Sequence, residues 1–131
     1  MILVCGEALM DLVPRPCGDE AGFVPRAGGS PYNVAIGLGR LDVPTGFLGR
    51  ISRDRFGRQL RSRLADNGVD LRLASEGDEP TTFAIVHLLP GEEPEYAFYG
   101  QGTADALISP ADLPATFPDE IAALQDRKSV V

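Results

Sequence analysis

The apolar run at residues 2–5 is short and stops at Gly6, the pattern of a strand buried on both faces. Residues 9–13 carry the apolar character past Glu7 with Asp11 as the one charge, and Pro14 and Pro16 are expected to end the strand. Asp11 is therefore expected near a strand end. An extended stretch at 22–26 leads into Gly28 and Gly29, and Val34, Leu38 and Leu41 then recur at helical spacing. Ser30 suits the N-cap of that helix and Pro31 its first position, where a missing N–H costs nothing. Residues 45–51 read as a second core strand. A second helix follows, with Asp54 as N-cap, Phe56, Leu60 and Leu64 as its apolar stripe, and Gly68 just past its end. Its arginines 55, 58, 61 and 63 read as a solvated face, and residues 69–73 as a third short strand.

That order of strands and helices predicts an α/β fold, a parallel sheet with right-handed crossovers. Residues 81–89 and 95–99 form two further β-rich runs joined by PGEEP, a hairpin whose first strand is apolar on both faces and which reads as a flap. Beyond Asp105, Pro110, Pro114 and Pro118 space out a loop, and residues 119–124 read as a helical start. The pattern then stops in mid-element, leaving at least one sheet edge bare.

Composition adds limits. The chain of 131 residues is 44% hydrophobic, as expected for one globular domain, and its formal charge of −7 disfavours nucleic acid and anionic membranes as partners. The first residues carry neither a basic n-region nor a long apolar span, which points to a cytoplasmic protein. Cys5 reads as a buried strand residue and Cys17 as incidental. There is no GxxxxGK[ST], GxGxxG, HExxH or cysteine cluster, so no generic nucleotide or metal motif is present.

The candidate chemistry lies in the first third: Asp11, the Gly28–Gly29 pair and Asn33. A carboxylate accepts from two neighbouring hydroxyls, a carboxamide donates and accepts at once, and adjacent glycines admit a ligand close to backbone N–H groups. Composition and spacing alone favour a plainer reading, in which Asp11 forms a turn, the glycines are ordinary, and Asn33 is a local cap. His87, within an apolar strand, is read as partly buried and structural. Tyr96, Phe98 and Tyr99 are read first as packing residues.

GGSPYNVAIGLGRLDVPTGFLGRISRDRFG, at residues 28–57, resembles the amino-terminal signature of the PfkB family of carbohydrate kinases, closest to bacterial fructokinases. GEALMDLVP at 6–14 and EPTTFAIVHLLPGEEPEYAFYGQGTADALIS at 79–109 resemble that family's opening strand and lid hairpin. The resemblance implies a ribokinase-like, Rossmann-type sheet with helices on both faces and a small β-lid, with the carboxy-terminal half absent. It implies one partial domain over residues 1–131, with lid segments at about 12–26 and 81–99. It further implies that Asp11, Gly28, Gly29 and Asn33 contact sugar hydroxyls, and that the complete enzyme transfers the ATP γ-phosphate to a sugar with Mg²⁺. The family's GxGD motif, with its general base, matches nothing here, so no catalytic residue is assigned and this chain alone is expected to bind neither cofactor and to be inactive. Glycine is usual in the family where Asp42 and Ser52 stand, and arginine is common where Gly100 stands. The ending QDRKSVV does not resemble the strand expected next, which reads as a truncated or frameshifted frame. The partners expected are a small-molecule sugar and, through the two-faced hairpin, a second copy of the chain. A non-catalytic sugar-binding or interaction module, or a non-functional fragment, is the competing reading.

Overall fold

A computed structural model describes residues 1–126. In chain order its elements are β1 (Ile2–Cys5), β2 (Leu9–Cys17), β3 (Glu20–Gly28), α1 (Ser30–Arg40), β4 (Thr45–Leu48), β5 (Arg50–Ser52), α2 (Arg55–Asp66), β6 (Ser75–Gly77), β7 (Phe83–His87), β8 (Glu95–Tyr99) and β9 (Ala123–Asp126). Three sheets result. A parallel one has the order β4-β1-β9, a mixed one the order β3-β2-β7-β8, and β5 pairs parallel with β6.

Both helices pack into one core cluster with Val4 of β1 and Phe47 of β4. From α1 come Tyr32, Ala35 and Ile36, and from α2 Leu60 and Leu64. Tyr32 lies edge-on to Phe47, with ring centroids 6.4 Å apart, and its hydroxyl donates to the Leu60 carbonyl at 3.1 Å. Burial pushes the pKa of that phenol up to about 12, so it stays a neutral donor. Of the expected stripe only Leu38 packs against this core, whereas Val34 is 36% and Leu41, just past the helix, 74% exposed. Their helical spacing is real, but the sheet selects the neighbouring face, which carries the larger aromatic payload of Tyr32.

The prolines do not end β2, which continues to Cys17. Along the β2–β3 ladder the pairs Leu12–Pro25, Pro14–Phe23 and Pro16–Ala21 fall two residues apart. Alternate pairs of an antiparallel ladder exchange no N–H···O bonds, so all three prolines occupy positions where a missing donor costs the ladder nothing. Asp11 consequently sits third in a nine-residue strand, near its start rather than its end.

Other expectations change for non-local reasons. The run at 45–51 is two strands, broken at Gly49, because β5 leaves β4's sheet to pair with β6. The strand expected at 69–73 is reduced to a single bridge between Gly46 and Asp70. Residues 119–124 do not start a helix: residues 123–126 form β9, parallel to β1, which offers them backbone partners. Of the QDRKSVV ending, Gln125 and Asp126 complete β9, and residues 127–131 lie outside the described residues. His87 is exposed at the end of β7 rather than partly buried.

The helix ends follow one design. After α2, the Gly68 N–H reaches the Ala65 carbonyl at 2.9 Å and the Val69 N–H the Leu64 carbonyl at 3.1 Å, with Gly68 at φ 74°. After α1, Asp42 and Val43 bond Gly39 and Leu38 in the same way, both at 3.1 Å, with Asp42 at φ 55°. These are paired 6→1 and 5→2 closures, and they demand a left-handed residue that glycine adopts most freely. The aspartate at 42 therefore occupies a glycine conformation. Asp42→Gly is expected to raise the unfolding free energy by up to about 1 kcal/mol, the scale of the left-handed penalty for a residue with a Cβ, measured by urea denaturation. An unchanged or lower midpoint would show that Asp42 is not strained.

Candidate functional site

Two chain junctions meet above the C-terminal end of β1. One runs from Cys5 through Gly6 and Glu7 into β2, and the other from β3 through Gly29 into α1. They approach too closely for a side chain at Gly29, where a Cβ would lie 2.8 Å from the Glu7 carbonyl oxygen, and beside them a Cβ on Gly28 would lie 2.2 Å from Oδ2 of Asp11 in β2. Gly29 also has φ 107°, a conformation that L side chains rarely adopt. Gly29, not Ser30, is the N-cap of α1, and its carbonyl accepts the Asn33 N–H at 2.9 Å. Ser30 becomes the first helical residue and Pro31 the second, since the turn needs a glycine's backbone more than a hydroxyl cap.

A cleft of about 580 Å³ opens over this meeting point, lined among others by Asp11, Gly29, Ser30, Asn33, Tyr96 and Phe98. Three of the four residues singled out in the sequence thus share one cavity wall, and Gly28 supports it by leaving room for the Asp11 carboxylate. Asn33, in the first turn of α1, is exposed. Tyr96 and Phe98, expected to pack against neighbours, are 52% and 44% exposed, with rings 6.2 Å apart and nearly parallel at 21°. The sequence does hold a signal: positions two apart in a strand share a face. Which face looks into the cleft is set by the pairing of β8 with β7.

Asp11 is partly buried, and desolvation lifts its carboxyl above the ordinary range. Among the described residues it makes no hydrogen bond or ion pair. A desolvated carboxylate without a donor is destabilising for the fold and available to a ligand.

Asp54, by contrast, is fully engaged. Burial alone would raise its pKa, but the Gly57 N–H at 2.7 Å and the Thr81 N–H and hydroxyl at 2.9 and 2.7 Å hold it below the usual carboxylate range. It caps α2 and fastens the root of β7 to that helix. Next along, the buried Thr82 hydroxyl bonds Asp105 Oδ1 and lies 2.6 Å from the Thr103 hydroxyl, which is 3.0 Å from the same oxygen. A second cleft, of about 610 Å³, adjoins the first, and both are lined by Glu7, Leu9 and Phe98. Among the described residues no three His, Cys, Asp or Glu side chains are grouped to hold a metal ion, and Cys5 and Cys17 are free thiols, the first lifted in pKa by burial.

Asp11 fixes the sign of one pH effect. Its raised pKa means that the folded state holds the proton more tightly than the unfolded chain, so its contribution to stability falls as pH rises from about 3.9 through the folded value. Asp11→Asn is expected to raise the thermal midpoint at pH 7. The gain should vanish near pH about 3, where both side chains are neutral. Equal midpoints at both pH values would show that the carboxylate carries no desolvation cost.

A family model described as pfkB family carbohydrate kinase matches residues 1–126. A curated relative, fructokinase from Rhizobium leguminosarum bv. trifolii, is 46% identical over 115 residues, covering 87% of this chain and 35% of the relative. Among solved structures, fructokinase with bound ATP from Xylella fastidiosa superposes with a TM-score of 0.78 at 32% identity, over 86% of this chain and 37% of that one. Aminoimidazole riboside kinase from Salmonella enterica, complexed with aminoimidazole riboside and an ATP analogue, gives 0.69 at 32% identity, over 86% and 35%. The chain thus spans little more than a third of the length of these relatives. Matched over residues 1–126, it belongs to the pfkB family of carbohydrate kinases.

Proposed function

We propose that this chain forms the sugar-binding part of an ATP-dependent sugar kinase of the fructokinase type. The observation that carries the reading is the convergence of a donor-free carboxylate (Asp11), an exposed carboxamide (Asn33) and the rings of Tyr96 and Phe98 on one cleft. Carboxylate and carboxamide match the paired hydroxyls of a sugar, and an aromatic face matches its C–H surface. In this reading Asp11 accepts from neighbouring hydroxyls, Asn33 both donates and accepts, and the Gly28–Gly29 junction lets the ring approach the backbone. The β2–β3 ribbon and the β7–β8 hairpin, at 12–26 and 81–99, act as a lid that keeps water from the sugar.

The reaction proposed for the whole protein is transfer of the ATP γ-phosphoryl group to a sugar hydroxyl, with Mg²⁺. ATP supplies the phosphoryl group, and this chain supplies the acceptor's position. Holding an acceptor in line is a large part of such catalysis, because the transition state asks chiefly for placement and charge stabilisation. No grouping of metal ligands occurs among the described residues, and no step through the metal or the nucleotide rests on residues of this chain. A cytoplasmic location accords with this activity; among the described residues no helix is long and apolar enough to cross a membrane.

Fructose titrated into the chain by calorimetry should bind weakly, and Asp11→Ala should weaken it at least about tenfold, the effect of leaving a hydroxyl without its charged acceptor. Unchanged affinity in that variant removes Asp11 from the site.

A homodimer through the β3-β2-β7-β8 sheet is proposed as well. Phe23 and Tyr99 on it, and Leu88 and Leu89 in the loop just past β7, are each at least 50% exposed, an apolar surface of the kind that marks association sites. The chain is expected to elute as a dimer in size-exclusion chromatography at high concentration. A monomer throughout rules this surface out as an interface.

A further inference from the structure

We propose that Asn67 is a site of spontaneous covalent modification, at which the Gly68 nitrogen displaces the side-chain amide to form a succinimide, and that Arg40 and the Arg63 carbonyl latch the reaction shut in the folded chain. Asn67 caps the end of α2, and Gly68, with φ 74°, is the left-handed residue that follows. The helix stop needs glycine's backbone freedom there. The same missing side chain leaves the Gly68 nitrogen unscreened, so the Asn67 Cγ reaches it readily once the turn opens. The chain's other asparagine, Asn33, is followed by Val34, whose branched side chain crowds the equivalent approach.

In the folded chain the reacting groups are tied down separately. Asn67 Nδ2 donates to the Arg63 carbonyl at 2.7 Å, and Oδ1 accepts from Arg40 Nε at 3.0 Å. The Gly68 N–H donates to the Ala65 carbonyl at 2.9 Å. Both ends of the carboxamide and the nucleophile's own proton are thus committed, so attack waits until the last turn of α2 opens locally. Solvent base then removes the Gly68 N–H proton, the nitrogen bonds to Cγ, and Nδ2 takes a proton and leaves as ammonia. Water adds to either carbonyl of the ring and breaks its bond to the nitrogen, which regains a proton. Water is consumed and ammonia released, with no oxidation or reduction. Opening at Cγ leaves an aspartate, and opening at the main-chain carbonyl leaves an isoaspartate whose main chain is a methylene longer. A Cβ on Gly39 would lie only 2.1 Å from the Asn67 carbonyl oxygen, so the ends of α1 and α2 touch with no room for that methylene. Either product has lost the amide donor to Arg63, and the latch does not re-form.

The test incubates the whole chain in mildly alkaline buffer, folded and in urea, and follows its tryptic peptides by mass. Residues 64–72 report Asn67, and the peptide holding Asn33 is the internal reference. In urea the 64–72 peptide should gain the mass of an amide-to-acid exchange and separate into aspartate and isoaspartate forms, well ahead of any change at Asn33. In the folded chain conversion at Asn67 should be slower by at least about tenfold, because it waits on local opening. Arg40→Ala should speed the folded-state conversion about fivefold, the worth of one net hydrogen bond. It should leave the rate in urea, and the folded-state rate at Asn33, as in the parent. Equal rates at Asn67 in the folded and unfolded chain would show that there is no latch. An Arg40→Ala rate matching the parent's, or one raised equally at both asparagines, would remove Arg40 from it. A 64–72 peptide that stays unconverted in urea would overturn the site itself.

Discussion

The site depends on a steric constraint: the β3–α1 junction and the β1–β2 junction close on each other with no space for a Cβ. The backbone obstacle is the Glu7 carbonyl opposite Gly29, and next to it Gly28 leaves the space that the Asp11 carboxylate of β2 fills. Close packing fixes the relative position of these backbones far more tightly than any single hydrogen bond does. Because β3 must end where α1 begins, the first turn of the helix and Asn33 are held over the start of β2, where Asp11 stands. The same closeness dehydrates Asp11, so the feature that aims the carboxylate also makes it costly in the empty protein.

A second level of organisation concerns the hairpin. Its root is held on two sides, by Asp54 at the cap of α2 and by the Thr82–Thr103–Asp105 network that ties the entry of β7 to the turn after β8. Its far end, at residues 88–96, is exposed throughout. Farther along, Arg50 joins Glu79 at 2.9 Å and Asp112 at 2.8 Å, bracing the loop that leads to β9. The Ser109 backbone N–H is the largest of several hydrogen bonds, the Arg50 guanidinium's among them, that hold Asp112 well below the usual carboxylate range. An element clamped at its base and free at its tip can move over a ligand while its base keeps register.

What the sequence disclosed and what it hid divide along the range of the interactions involved. β1 and α2 were legible because their signals are local: a short apolar run stopped by glycine, and an aspartate cap with a glycine terminator. The break at Gly49 was not, because it depends on β5 finding β6 some 25 residues later. Residues 119–124 follow Pro118 and open on an acidic pair that suits a helix, yet β1 recruits their end as a strand. In the site, Asp11, Gly28, Gly29 and Asn33 were recognisable as residue types that suit a polyol. Tyr96 and Phe98 were discounted since alternation shows that two rings share a face without showing what that face meets.

The proline pattern of the β2–β3 ribbon reaches beyond its own ladder. From Val13 onward β2 pairs with β3 alone, so its other side is an unpaired edge of the kind that templates strand addition and aggregation. Pro14 and Pro16 remove the outward N–H groups from that edge, and Pro25 does the same on the far side of β3, which leaves a projecting ribbon that is a poor template on both flanks. A strand from a neighbouring molecule finds few donors there. Contacts made by this ribbon are accordingly restricted to side-chain packing on its faces, which is reversible and discriminating in a way that open-ended cross-β growth is not.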